Sequence, residues 1–123
     1  GNSRWQRPHG RALQMRGFIT EAQAEESLHW LIDAADEIGR AVEEATLTER
    51  LVGHVEALQA KAAEGSDARR KEAARTSEAY LRAIYAEAKA AGELAKLRSR
   101  RDSHSARLEA WRSQSANHRA LSI

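Results

Sequence analysis

The chain contains a single proline, Pro8, so residues 9–123 carry no ring of the kind that interrupts a helix. Its commonest residues include alanine, glutamate, arginine and leucine, a composition typical of long helices and coiled coils. Only 5% of the residues are aromatic, so a thick core within one chain is not expected. We therefore predict an all-α fold whose long helices associate with further copies.

Two long stretches repeat an apolar residue every three or four positions, the spacing of a coiled-coil seam. The first predicts a helix over about residues 20–63, and the second a helix over about 67–115. Gly65 suits the end of the first helix and Ser66 the start of the second, so the turn is expected at 64–67. The result is a helical hairpin. A break near Gly92, giving a three-helix bundle, is the alternative.

The predicted single helical domain covers residues 18–120 and follows a glycine-containing basic segment, 1–17. This segment has no helical period and is expected to be a flexible arm. Met15 is the only methionine, so residues 1–14 could derive from a vector. At the start of the domain, Thr20 and Gln23 have the spacing of a capping box.

The predicted oligomer seam consists of the large apolar residues at this spacing. They are Leu28, Leu31, Ile38, Val42, Leu51, Val55, Leu58, Leu81, Ile84, Leu94, Leu97 and Leu108. In the first helix the spacing loses its phase between Ala45 and Leu51. A change of supercoil or of packing partner is therefore expected near Thr46 to Glu49.

Charge is distributed unevenly along the chain. Residues 20–64 hold 11 acidic against three basic side chains, a net charge of 3 − 11 = −8. Residues 94–119 hold seven basic against two acidic side chains, a net charge of 7 − 2 = +5. This polarity can pair helices, order subunits, or leave a basic end for nucleic acid.

The basic end and the start of the second helix supply candidate phosphate contacts. The predicted set is Lys96, Arg98, Arg100, Arg101, Arg107, Arg112 and Arg119, with Arg69, Arg70 and Lys71 as auxiliary contacts. A solvated helix face with local ion pairs is the ordinary alternative. Trp111 lies among these arginines at a seam position. It is interpreted either as a platform on which an unpaired base stacks or as an anchor of the subunit interface.

Several function classes lack their characteristic residues. There is no cysteine, no apolar run long enough to span a membrane, and no phosphate-binding glycine loop. Glu26 and His29 have the spacing of di-metal helices, but no second copy of that motif exists. We therefore predict no enzyme, catalytic residue, metal, cofactor, small-molecule substrate or membrane contact, and expect a protein of the bacterial cytoplasm.

Four segments carry a family resemblance: SLHWLIDAADEIGRAVEEA, HVEALQAKAAEGS, a basic segment with EAY, and the C-terminal LEAWRSQSANHRA. Over about residues 18–120 the chain resembles small phage and prophage proteins encoded among early recombination or replication genes. Trp111-Arg112-Ser113, Ala116-Asn117 and Arg119 form the most recognisable part. The order of an acidic helix, a glycine turn, a second helix and a terminal arginine-serine segment is also similar to the UvsY recombination mediators of T-even phages. That family forms ring-like homo-oligomers, binds single-stranded DNA and helps load a recombinase.

The resemblance and the basic helix together predict an accessory protein of phage or prophage DNA recombination. It would bind single-stranded DNA without sequence preference and self-associate. A recombinase or a single-strand-binding protein is the expected protein partner. The alternative is a helical adaptor, or an inhibitor of a host factor, that binds protein and no nucleic acid.

Overall fold

A computed structural model describes residues 18–122, which form three helices and no strand. We number them α1 (Glu21–Ala62), α2 (Asp67–Arg75) and α3 (Glu78–Ser122). The predicted all-α fold is confirmed. The predicted flexible arm and the assignment of residues 1–14 to a vector lie outside the described residues. No helix in this part of the chain is both long and apolar enough to cross a membrane.

The two ends of α1 follow the local signals of the sequence. At its start, the Gln23 amide donates to the Thr20 hydroxyl over 3.1 Å, and the Gln23 side chain accepts from the Thr20 amide over 3.0 Å, as in a capping box. Beyond its end, Gly65 has a φ of 109°, which glycine adopts without strain. Ser66 then caps α2, because its hydroxyl accepts from the Arg69 amide.

The second predicted helix, 67–115, is divided in two by a break at Thr76 and Ser77. The Thr76 hydroxyl donates to the Glu72 carbonyl, and the Ser77 hydroxyl donates to the Ala74 carbonyl over 2.6 Å. Ser77 also accepts from the Tyr80 amide and thereby begins the next helix. Hydroxyl side chains that bond nearby backbone groups compete with the helix in this way. The alternative break near Gly92 is wrong, because α3 continues through that residue.

Contacts divide the chain into two units, and α1 and α3 contribute to both. We call 33–100 the central unit; the described residues of the other unit, 18–32 with 101–122, are called the terminal unit. In the central unit, α1 and α3 pack antiparallel, and most of their buried and half-buried residues recur at alternating steps of three and four. The residues that follow this spacing, called contact positions below, are Ala34, Ile38, Ala41, Ala45, Thr48, Val52 and Val55 from α1, and Tyr80, Ala83, Glu87, Ala90, Leu94 and Leu97 from α3.

This spacing continues without a shift through the middle of α1, so the change of packing partner predicted near Thr46 to Glu49 is not observed. The alternative, a change of supercoil there, stays a prediction. Thr48 occupies a contact position and is buried, with its hydroxyl donating to the Glu44 carbonyl over 2.7 Å. The internal bond satisfies the polar group, so threonine can stand where the sequence pattern requires an apolar residue.

The predicted seam is split between the inside and the outside of these units. Seven of its twelve residues are buried or half-buried: Leu31, Ile38, Val55, Ile84, Leu94, Leu97 and Leu108. The other five are exposed: Leu28, Val42, Leu51, Leu58 and Leu81. Alanines such as Ala34 and Ala90 take contact positions instead, because small side chains let two helices approach closely.

Candidate nucleic-acid interface

The start of α1 is fixed to α3 in the terminal unit by a pair of hydrogen bonds. The Ile19 amide donates to Oε1 of Gln114 over 2.8 Å, and Nε2 of Gln114 donates to the Ile19 carbonyl over 2.7 Å. One glutamine amide therefore satisfies both backbone groups of Ile19. This pair also determines where the neighbouring Phe18 lies relative to α3.

A partly buried polar layer holds the two helices of the terminal unit together. Ser27 is fully buried; its Oγ lies 2.9 Å from Nδ1 of His104 and accepts from Nε of Arg107 over 2.7 Å. The His104 ring stacks on Trp30 with a centroid distance of 4.7 Å and an interplanar angle of 23°. Steps of four, three and four residues lead from Leu97 through Arg101 and His104 to Leu108. These contacts explain how a polar histidine occupies a position in that spacing.

Arg107 is committed to this layer rather than displayed for a ligand. Only 25% of its side chain is exposed, and Nη2 lies 3.7 Å from Oε1 of Glu26. Its guanidinium thus contacts both Ser27 and Glu26. Of the predicted phosphate contacts, Arg107 is the one that the structure turns inward. Glu26, whose spacing to His29 matches that of di-metal helices, serves as its counter-ion.

A groove of about 560 Å³ lies beside the end of α3 in the terminal unit. Its lining residues are Phe18, Trp111, Arg112, Gln114, Ser115, His118 and Arg119. Two aromatic rings and two arginines therefore line one cavity. Pockets of 300–1,000 Å³ with aromatic walls and a few polar groups are typical small-ligand sites.

Three of the predicted arginines lie on one side of α3 in the terminal unit. They are Arg101, Arg112, which follows 11 residues later, and Arg119, which follows after seven more. At 100° of rotation per residue, their directions around the helix axis differ by about 20° at most. Arg112 donates to Glu109 over 2.9 Å, and Arg101 donates to Asp102 over 3.3 Å. No ion pair is found for Arg119 among the residues that the structure describes.

The predicted basic residues of the central unit do not form one face. Lys96 and Arg100 are four residues apart on one side of α3, whereas Arg98 projects on the opposite side, about 160–200° away. Nζ of Lys96 also lies 3.9 Å from Oε1 of Glu93. These basic residues are close together in the sequence, but the rotation of the helix places them on different sides of α3.

The auxiliary basic residues lie on or near a hollow between α1 and α2. Arg70 and Lys71 line it together with Lys61, and so do the acidic residues Glu56 and Asp67. Mixed charges make this hollow a poorer phosphate site than the groove. Arg69 instead places its side-chain carbons near Gly65, the closest one 3.2 Å from the position that a Cβ would take there.

Sequence reasoning missed four members of the groove: Phe18, Gln114, Ser115 and His118. Phe18 carried a usable signal, because a large apolar residue just before a helix cap often packs against neighbouring structure. The other three residues carried no signal of their own in the sequence. They line the groove only because the start of α1 packs against this part of α3. In the described part of the chain, no group of three or more His, Cys, Asp or Glu side chains could hold a metal ion.

Comparison with known proteins gives no match to a family model, to a curated protein or to a solved structure.

Proposed function

We propose that this protein binds single-stranded DNA without sequence preference and acts as an accessory factor of phage or prophage recombination. The observation that supports binding is the groove in which Phe18 and Trp111 lie with Arg112 and Arg119. The recombination role is carried by the family resemblance of the sequence. A recombinase or a single-strand-binding protein would then be its protein partner.

The chemistry of the groove suits an unpaired nucleotide. An aromatic ring can stack on any base, and such stacking contributes about 1–3 kcal/mol per base in proteins that bind single strands. Arg112 and Arg119 are two helical turns apart, about 10 Å along α3 and on the same side. They can therefore contact separate phosphates of one strand while a base occupies the groove.

One groove with two arginines makes a weak site, and self-association would supply the missing affinity. Copies held in one assembly present several grooves to the same strand, so that later contacts become intramolecular. Binding that depends on phosphate contacts also weakens steeply as the salt concentration rises.

The adaptor function remains the second candidate because of exposed leucines on α1. Leu47, Leu51 and Leu58 follow one another at steps of four and seven, and their exposed fractions are 53%, 40% and 52%. A helix of a partner protein could pack along such a row. Binding to an adaptor's partner would depend on these leucines and only weakly on salt.

Fluorescence anisotropy with a labelled single-stranded oligonucleotide tests the proposal on the full chain at low and moderate salt. We expect Trp111→Leu to weaken binding about tenfold, the equivalent of one lost stack. Trp111→Phe retains an aromatic ring and should recover most of that loss. Circular dichroism checks that both variants remain helical.

Arginine variants test the phosphate contacts. Arg119→Ala should reduce the slope of log affinity against log salt by about 0.7, the value for one phosphate of a single strand. The matched control is Arg82→Ala, which removes an exposed arginine of α3 outside the groove and should leave the slope unchanged. Absence of binding by the folded protein at low salt, or equal effects of Arg119→Ala and Arg82→Ala, would overturn the proposal.

A further inference from the structure

Two histidines of α3 project in similar directions but have different surroundings. His104 and His118 are 14 residues apart, so their directions around the helix axis differ by about 40°. His104 faces α1, where its ring stacks on Trp30 and its Nδ1 lies 2.9 Å from Oγ of Ser27. His118 instead lines the groove. The first histidine therefore contributes to the packing of the two helices, whereas the second faces a cavity.

His118 lies on the part of α3 that α1 does not cover. Ile19, which is bonded to Gln114, precedes α1 by two residues. From Trp111, steps of four and three residues lead through Ser115 to His118, which continues the helical spacing of positions that face a partner helix. His118 thus projects toward the side on which α1 packs earlier along α3. Within the described residues, α1 begins before it could reach this position.

The polar and aromatic side chains of the groove come from two directions around α3. At 100° of rotation per residue, Arg112 and Arg119 project within about 20° of each other. Trp111 and His118 also project within about 20° of each other, and the two pairs differ by about 80–120°. A phosphate that enters the groove can therefore meet guanidinium groups on one side and the imidazole ring on the other.

An imidazole ring binds a phosphate best in its charged form. The neutral ring has one N–H donor and one nitrogen acceptor, whereas the charged ring has two donors. Phosphate oxygens accept hydrogen bonds, and bonds between charged groups are shorter and stronger than neutral ones. An opposite charge within about 4–6 Å favours the charged form of a group. A phosphate beside His118 should therefore draw a proton onto its ring.

The other ionisable groups at the groove are arginines and carboxylates. On α3 they are Arg112, Arg119 and Glu109, which accepts from Arg112 over 2.9 Å. Residues 18–20 have no ionisable side chain, and the first one of α1 is Glu21. Carboxylates ordinarily titrate below about pH 5 and guanidinium groups above about pH 12, whereas histidine changes its charge between about pH 5 and 8. A response of the groove in that range is therefore assigned to its histidine.

We propose that His118 is a third phosphate contact of the groove, and that the protein binds single-stranded DNA more tightly as the pH falls from about 8 to about 6. This inference rests on the proposed function, because it requires a phosphate in the groove. The charged ring adds a cation to those of Arg112 and Arg119, and binding takes up a proton. The affinity should rise about three- to fivefold, which is within the range of one exposed ion pair.

Fluorescence anisotropy of the full chain with labelled oligothymidine at about pH 8 and about pH 6 tests this contact. Thymine keeps its charge over this range. His118→Gln removes the titrating ring but retains a polar side chain. The decisive quantity is the ratio of wild-type to His118→Gln affinity, which should rise about three- to fivefold toward the lower pH. Any response of His104 is common to both proteins and cancels in this ratio.

Two further variants distinguish a phosphate contact from a general effect of pH. His54→Gln removes an exposed histidine of α1 and should retain the wild-type response. His118→Lys carries its charge at both pH values, so it should bind at the higher pH about as tightly as wild type does at the lower one. Circular dichroism at both pH values checks that the variants remain helical.

The salt dependence of binding provides a second measure of the contact. At about pH 6 the slope of log affinity against log salt should be steeper for wild type than for His118→Gln by up to about 0.7, the value for one phosphate of a single strand. At about pH 8 the two slopes should agree. A structural role of His118 would change the affinity without this dependence on pH and salt.

The two proposals fail separately. Absence of binding by the folded protein at both pH values would overturn the proposed function and this inference with it. Salt-sensitive binding in which the ratio of wild-type to His118→Gln affinity is the same at both pH values would overturn this inference alone. A His118→Lys variant that binds no more tightly than wild type at the higher pH would also overturn it.

Discussion

Gln114 holds both backbone groups of Ile19, accepting from its amide over 2.8 Å and donating to its carbonyl over 2.7 Å. Because Phe18 precedes Ile19, this single side chain also positions one aromatic wall of the groove. The pairing joins residues 95 positions apart in the sequence. It links the stability of the terminal unit to the shape of the candidate binding site.

Gln114→Ala should therefore lower stability and nucleic-acid binding together. Loss of two half-buried hydrogen bonds is expected to reduce the free energy of unfolding by about 1–2 kcal/mol. Urea denaturation measures this change, and anisotropy measures the affinity for the oligonucleotide. Asn117→Ala, an exposed change three residues further along α3, should alter neither. Equal stability of the two variants would show that the pair does not hold the terminal unit.

Arg107→Met tests whether Arg107 stabilises the fold or contacts nucleic acid, and we expect the former. Removal of the guanidinium leaves the buried Ser27 hydroxyl without one of its partners, and we expect a loss of about 1–2 kcal/mol in the free energy of unfolding. The affinity of the folded protein for single-stranded DNA should change less than about twofold. Arg119→Ala is the converse control, with weakened binding and unchanged stability. A salt slope that falls in Arg107→Met would mean that Arg107 contacts phosphate after all.

Glu109→Gln should strengthen binding by releasing Arg112. The two side chains are 2.9 Å apart and 66–71% exposed, so their pairing is weak and competes with phosphate for the same guanidinium. We expect the affinity to rise about two- to fivefold at low salt and the gain to shrink at high salt. Glu43→Gln changes the charge of the chain by the same amount on α1, and anisotropy should detect no comparable gain. A gain of equal size would attribute the effect to net charge alone.

Two glycine substitutions should have opposite effects on stability. Gly65 has a φ of 109°, and an added Cβ would lie 3.2 Å from a side-chain carbon of Arg69. Gly65→Ala is thus expected to lower the free energy of unfolding by about 1–2 kcal/mol. Gly53 lies within α1, and nothing lies within 4 Å of an added Cβ there. Gly53→Ala should therefore raise the free energy of unfolding by about 0.5–1 kcal/mol. Thermal unfolding followed by circular dichroism compares the two, and a stabilised Gly65→Ala variant would contradict this account of the turn.

The limits of α1 and the turn after it could be predicted because their signals are local. Thr20 with Gln23, and Gly65 with Ser66, each act through atoms within a few residues of one another. The break at Thr76 and Ser77 was missed although its hydrogen bonds are equally local. Hydroxyl residues inside a helical pattern can either point outward or terminate the helix, and the sequence does not distinguish these outcomes.

The candidate binding site could be predicted only in part. Trp111, Arg112 and Arg119 were identified from charge and spacing, and the structure brings them to one groove. Arg107 has the same composition signal but is turned toward Ser27 and Glu26. The difference arises because α1 passes beside Arg107, and a linear count of charges contains no information about the neighbouring helix.

By itself the sequence determined that this chain is helical, where its first helix begins and ends, and that an acidic first helix is followed by a basic C-terminal segment. These properties follow from backbone propensity, capping and composition, which act over a few residues. Only the tertiary structure decided which apolar residues face inward. The register of two antiparallel helices selected small residues such as Ala34 and Ala90 for the contact and left Leu81 and Val42 exposed. Burial depends on what lies opposite each position, and that neighbour comes from a distant part of the chain.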